Sequence, residues 1–159
     1  MSCRKALVAG CVLGSGLFVL AGEQAEPSAI FTAAQAEAGR AAMENTCAKC
    51  HTPSLLGRKG GTNEAPALSS LPASYQKFIG PRGFVPPLAG ETFINRYGSM
   101  TAAQLISRLR ESVDSFPPEG RDQETAVNIT AYVLQMNGAR AGNQALTKSS
   151  GVVVSSVTR

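Results

Sequence analysis

A chain of 159 residues with 43% hydrophobic and 16% charged side chains has room for one folded domain with flanking segments. Its formal charge of +4 is carried by the two ends. Residues 1–21 bring Arg4 and Lys5, residues 139–159 bring Arg140, Lys148 and Arg159, and the stretch between has ten basic against eleven acidic side chains. A near-neutral middle removes the argument for a nucleic-acid surface, which needs clustered Lys/Arg on the folded domain.

Arg4-Lys5, the uncharged and mainly apolar run Ala6 to Leu20, and the small residue Ala21 read as an export signal cleaved after Ala21. Two other fates stay open. An uncleaved anchor is opposed by the shortness of the run and by Gly10, Gly14 and Gly16. Lipidation at Cys11 through Val8-Ala9-Gly10-Cys11 is opposed by the short apolar stretch before it. Residues 22–31, with Glu23, Glu26 and Pro27, read as a linker. The cleaved chain is expected to keep only Cys47 and Cys50 of its cysteines, and no stable membrane span.

Thr32-Ala33-Ala34-Gln35 has the form of a capping box, in which side chains at both ends satisfy early backbone N–H groups. The alanine-rich run from there to about Thr46 predicts a helix, interrupted by Gly39 at a cost of about 1 kcal/mol. Directly after it stands Cys47-Ala48-Lys49-Cys50-His51. Two cysteines two residues apart, followed at once by histidine, form the c-type haem attachment pattern. Thiols one helical turn apart each add across a vinyl group on one edge of the porphyrin, and the adjacent imidazole ligates iron. A redox dithiol belongs in a βαβ setting, which is not visible here. A closed zinc site wants four ligands, whereas the chain has 1 histidine and its other cysteines, Cys3 and Cys11, lie in the leader.

The motif resembles the attachment site of the cytochrome c family. The resemblance implies one haem c, held covalently by Cys47 and Cys50, with His51 as proximal iron ligand. Because bacterial members acquire haem outside the cytoplasmic membrane, it also implies a periplasmic protein, in keeping with the leader. For Gly39 it implies close approach of the last helix, with Tyr132 the candidate aromatic beside it.

Past His51 the chain reads as loop for roughly fifty residues, because Gly57, Gly60, Gly61 and six prolines prevent long regular elements. One short helix is expected from Ser74 to Ile79. Pro86-Pro87-Leu88-Ala89-Gly90, followed by Phe93 and Tyr97, resembles the "PPLAG…F…W" stretch of bacterial family members, with Tyr97 in place of tryptophan and a candidate to reach a haem propionate. In the family a proline carbonyl in such a stretch accepts the Nδ1–H of the proximal histidine. Pro86 or Pro87 is the expected acceptor, Pro66 the second choice. The 34 residues between His51 and Pro86 exceed the family spacing, so 54–82 reads as an insertion.

Thr101-Ala102-Ala103-Gln104 repeats the capping box and opens a second helix to about Val113, with Leu105, Ile106 and Leu109 on one face and Arg108 and Arg110 outside. Phe116 to Gly120 breaks it. Asp122 is the expected N-cap of a third helix whose buried stripe is Ala126, Ile129, Val133 and Met136, with Asn137-Gly138 as its stop. Residues 139–159 read as a flexible tail.

This order, over 32–138, resembles a class I cytochrome c: an all-α fold of three main helices plus long loops wrapped around one haem. The sixth iron ligand departs from the pattern. Most members place a methionine between the last two helices, and Val113 to Arg121 contains none. Met100 is the candidate distal ligand, although it precedes the second helix, and an open distal site is the other reading. Met43 and Met136 read as core. The resemblance implies an electron carrier rather than an enzyme, serving a redox partner such as a periplasmic dehydrogenase or a terminal oxidase, or acting as haem subunit of the former. The alternative is an open-site haem protein that binds a small gas ligand.

Overall fold

The computed structural model describes residues 29–57, 69, 71, 73, 76, 85–113 and 122–159. The expected export signal, most of the linker and of the 54–82 insertion, Pro66, the Ser74–Ile79 helix apart from Gln76, and the Phe116–Gly120 break lie outside the described residues. Within them the fold is all-α: α1 (Ala33–Asn45), α2 (Ala48–His51), α3 (Glu91–Tyr97), α4 (Ala102–Val113) and α5 (Gln123–Met136), followed by a 3-10 turn at Val154–Ser156.

The helix starts follow from side chains close in sequence. Thr32 Oγ1 accepts the Gln35 N–H at 3.2 Å, and the Gln35 side-chain oxygen accepts the Thr32 N–H at 3.2 Å. Thr101 and Gln104 make the same reciprocal pair at 3.2 and 2.9 Å. Asp122 caps α5, its Oδ1 accepting the Thr125 N–H and its Oδ2 the Thr125 hydroxyl, both at 2.7 Å. Those bonds hold the Asp122 carboxyl below its ordinary value near 3.8. Gly138, at φ +86°, lets the chain turn out of α5.

α1 and α5 form the principal helix pair. α1 turns Ala36, Gly39 and Met43 inward, a spacing of one helix face. At Gly39 the two backbones meet: a Cβ there would overlap the Asn128 carbonyl and stand 3.0 Å from the Ile129 nitrogen. The close approach expected of Gly39 is therefore made by the backbone of α5, one turn before Tyr132. On the other side α4 supplies Leu105 and Ile106, both 1% exposed, while Arg108 and Arg110 face solvent.

α5 is enclosed from Ala126 to Leu134 on almost every side, a wider buried surface than the expected stripe. Met136 departs from that stripe. It is 39% exposed while Leu134 and Asn137 beside it are buried, so the last turn faces inward through those two residues instead. A second correction concerns the loop after His51, which ends in a seven-residue helix, α3, whose Phe93 and Tyr97 stack one turn apart at 5.2 Å between ring centroids.

The largest correction is at 139–159, expected as a flexible tail. It runs back along the domain as a strap, burying Leu146, Val154 and Val157. The Leu146 peptide is held at both ends by the Gln35 side chain (2.8 and 2.9 Å). Gly142 N–H reaches the Phe31 carbonyl at 2.8 Å, and an isolated antiparallel bridge joins Thr101 to Val153. Ile30 and Phe31, expected in the linker, are buried with it, so the core extends past 32–138 in both directions. Apolar side chains with satisfied backbone groups explain why this segment is ordered.

Two substitutions check this account. Gly39→Ala gains about 1 kcal/mol of helix propensity but forces the paired backbones apart, and the clash prevails. A net loss of about 1–3 kcal/mol is expected in denaturant unfolding. Asp122→Ala removes the α5 cap and lowers stability by about 1 kcal/mol at neutral pH. Since the folded carboxyl titrates below its unfolded value, the cap's contribution is present above pH 3.8 and lost as pH falls through the folded value. The difference between Asp122→Ala and the parent in thermal melts therefore narrows in acid.

Candidate functional site

The Cys47–His51 motif continues the hydrogen bonding of α1. Cys47 N–H donates to the Met43 carbonyl at 2.9 Å, and His51 N–H donates to the Cys47 carbonyl at 2.9 Å. The turn α2 thus carries Cys50 and His51 on a backbone anchored to the first helix. Cys47 is half-buried and Cys50 buried, and neither takes part in a disulfide. Burial pushes the Cys47 thiol up, against a smaller opposite pull from the Thr46 hydroxyl at 3.3 Å. A thiol raised in this way lacks the thiolate character of a reactive redox dithiol. Cys50 belongs to a small apolar cluster with Leu71 and Val85.

His51 is tied to the expected loop. Its Nδ1 lies 3.0 Å from the Pro86 carbonyl oxygen. A carbonyl only accepts, so Nδ1 carries the proton and the neutral ring keeps its lone pair on Nε2. Burial lowers the imidazole to about 4, with the Pro86 carbonyl pulling the other way, so the ring is neutral at pH 7. A neutral imidazole with its Nδ1–H engaged is the state in which histidine ligates metals through Nε2.

The loop after the motif is built to bring Pro86 there. Gly57 N–H donates to the His51 carbonyl at 3.1 Å, and Leu88 N–H to the Leu55 carbonyl at 2.7 Å. Gly57 has φ +77°, and a Cβ on it would overlap the Val85 carbonyl and lie 3.0 Å from backbone atoms of Pro86 and Pro87. Thr52 (φ 67°) and Leu55 (φ 59°) hold left-handed conformations that cost about 1–3 kcal/mol each in non-glycine residues. Backbone strain thus concentrates within four residues of His51. Composition marked Gly57 only as a loop residue, and nothing in the residue types of Thr52 or Leu55 signals positive φ.

No protein-family model, curated protein or solved structure matches this chain. Met100 stands between α3 and α4. It is half-buried in a shallow groove of about 290 Å³ on α4, with Ala103, Gln104, Ser107, Arg108, Glu111 and Lys148, and none of Cys47, Cys50 and His51 lines that groove. Tyr97 is 9% exposed, tilted against Phe93 with the Arg96 guanidinium 5.6 Å above its ring centroid. Among the described residues no three His, Cys, Asp or Glu side chains gather as a metal-binding cluster, and no helix is long and apolar enough to cross a membrane.

Gly57→Ala tests the loop. It strains a positive-φ position and pushes against the Val85–Pro87 backbone, so a loss of at least about 1 kcal/mol is expected. Chemical denaturation measures it, and an unchanged midpoint would show that the 52–57 turn does not brace Pro86.

Proposed function

We propose that this chain is an exported c-type cytochrome with a single covalent haem, working as an electron carrier. The observation that carries the reading is the His51 Nδ1–H bond to the Pro86 carbonyl, 3.0 Å long, set directly beside a CxxC pair. It joins the attachment motif to the proline stretch that the family resemblance singles out. The residues present fit the group. Cys47 and Cys50 are separated by one helical turn, with no disulfide between them, a spacing suited to bonding to one porphyrin edge. His51 keeps Nε2 for iron. The order of α1, motif, α4 and α5 agrees with the helical part of a class I cytochrome c, and the leader agrees with haem attachment in the periplasm.

When bound, haem supplies a one-electron couple whose potential depends on its axial ligands and their hydrogen bonds. The chain's own part is to hold and orient. The thiols fix the ring, and the Pro86 carbonyl fixes the imidazole tautomer and raises its basicity. A periplasmic dehydrogenase donating electrons, with this chain as its acceptor or haem subunit, is the proposed setting.

The position of Met100 favours a second reading. Its thioether precedes α4 instead of following it and lines a groove that holds none of the motif residues, which would suit an open distal site of the kind a gas-binding haem protein requires.

Two measurements test these readings. The exported protein is expected to hold haem through denaturation, and Cys47→Ala with Cys50→Ala to lose it; haem still covalently attached in the double variant would sink the proposal. An absorption band from thioether-to-iron charge transfer, abolished by Met100→Ala, identifies a methionine-ligated carrier. Its absence, with carbon monoxide bound as fast as it is mixed, identifies the gas binder.

A further inference from the structure

Asn137 reads in the sequence as a helix stop, yet its side chain is engaged far from α5. It is 4% exposed, one of the few buried polar residues among those described. Its Nδ2 donates to the Leu88 carbonyl at 2.9 Å and to the Val133 carbonyl at 2.7 Å, and its Oδ1 accepts the Gly90 N–H at 3.0 Å. Only one orientation of the amide satisfies these partners, since two are carbonyls and the third is an N–H. The Asn137 backbone is engaged as well: its N–H reaches the Val133 carbonyl at 3.2 Å, and its carbonyl accepts the Arg159 N–H at 2.9 Å.

We infer that Asn137 is a positioning residue, clamping the 86–90 segment so that the Pro86 carbonyl stays on the His51 ring. The clamp grips Leu88 and Gly90, two and four residues beyond the acceptor. The other side of the segment is held by Leu55 and by the close packing of Gly57. Pro86 and Pro87 have no N–H of their own, so this stretch cannot secure itself by donating from the residues nearest the histidine. The anchoring falls to donors further along, Leu88 and Gly90. Leu88 N–H is taken by Leu55, and Gly90 N–H by Asn137. A fully bonded buried amide costs more to disturb than a surface contact, and this gives the clamp its rigidity.

The consequence for iron rests on the haem reading proposed above; the clamp itself does not. Nitrogen-15 NMR of the purified full-length exported protein, reduced and saturated with carbon monoxide, follows solvent exchange of the His51 Nδ1–H. Asn137→Leu, which has the same reach but no polar atoms, and Asn137→Ser, which is too short for both partners, are expected to accelerate that exchange at least ten-fold. Thr130→Val is the control. It removes a buried hydrogen bond of the same helix, Thr130 Oγ1 to the Ala126 carbonyl at 2.8 Å, without touching 86–90. Unchanged exchange in both Asn137 variants overturns the inference, as does equal acceleration in Thr130→Val, which would mark a general loss of stability. Either Asn137 variant suffices if the other fails to fold. Haem content of the parent protein, measured separately, decides the functional reading: if haem is absent the ring proton still reports the clamp, and the two ideas fail independently. Where haem is present, the weakened Nδ1–H bond is also expected to raise the reduction potential of the Asn137 variants and to leave that of Thr130→Val in place.

Discussion

The bond from the His51 ring to the Pro86 carbonyl joins positions 35 residues apart, and much of the described structure is arranged around it. A half-buried imidazole without an acceptor would lose a hydrogen bond worth about 0.5–1.5 kcal/mol, so the acceptor delivered to that spot counts. The neighbouring turn delivers it at some expense of its own, with left-handed conformations at Thr52 and Leu55 and a glycine at 57 that admits the passing backbone. Strain of this kind survives only where surrounding contacts over-determine it. Here they do: the Leu88 peptide is held through both its N–H and its carbonyl.

The helical scaffold sets the distance over which this bond is made. The motif extends directly from α1, and Asn137 stands at the end of α5. The two helices touch at Gly39 and Asn128, so their crossing acts as a fulcrum. Gly39 lies eight residues before Cys47, about 12 Å along a helix axis. The absence of a side chain at 39 thus matters for the site as well as for the packing.

What could be read in the sequence was largely chemistry contained within a few residues. Both capping boxes and the Asp122 cap are patterns whose partners lie three residues apart, and the structure forms all three. The cysteine and histidine spacing is equally local. Pro86 was reachable through family resemblance, since no periodicity points from it to His51. The strap at 139–159 escaped because Leu146, Val154 and Val157 follow no helical or strand repeat, and their backbone partners are remote. Met136 kept the period of a buried stripe, but in the last turn Leu134 and Asn137 take the inward face. α3 was visible in retrospect: Phe93 and Tyr97 stand four apart, as one helix face requires.

The strap also bears on the order in which the protein folds. Gln35 and Leu146, which pair through both ends of one side chain, are separated by 111 residues, and Phe31 with Gly142 and Thr101 with Val153 add further long spans. Helical domains generally fold fast because their contacts are close in sequence, and pairings this distant raise the contact order and the loop-closure cost. α1 and the cysteine motif can form early, but the start of α1 gains its last partners only after residues past 140 have been made.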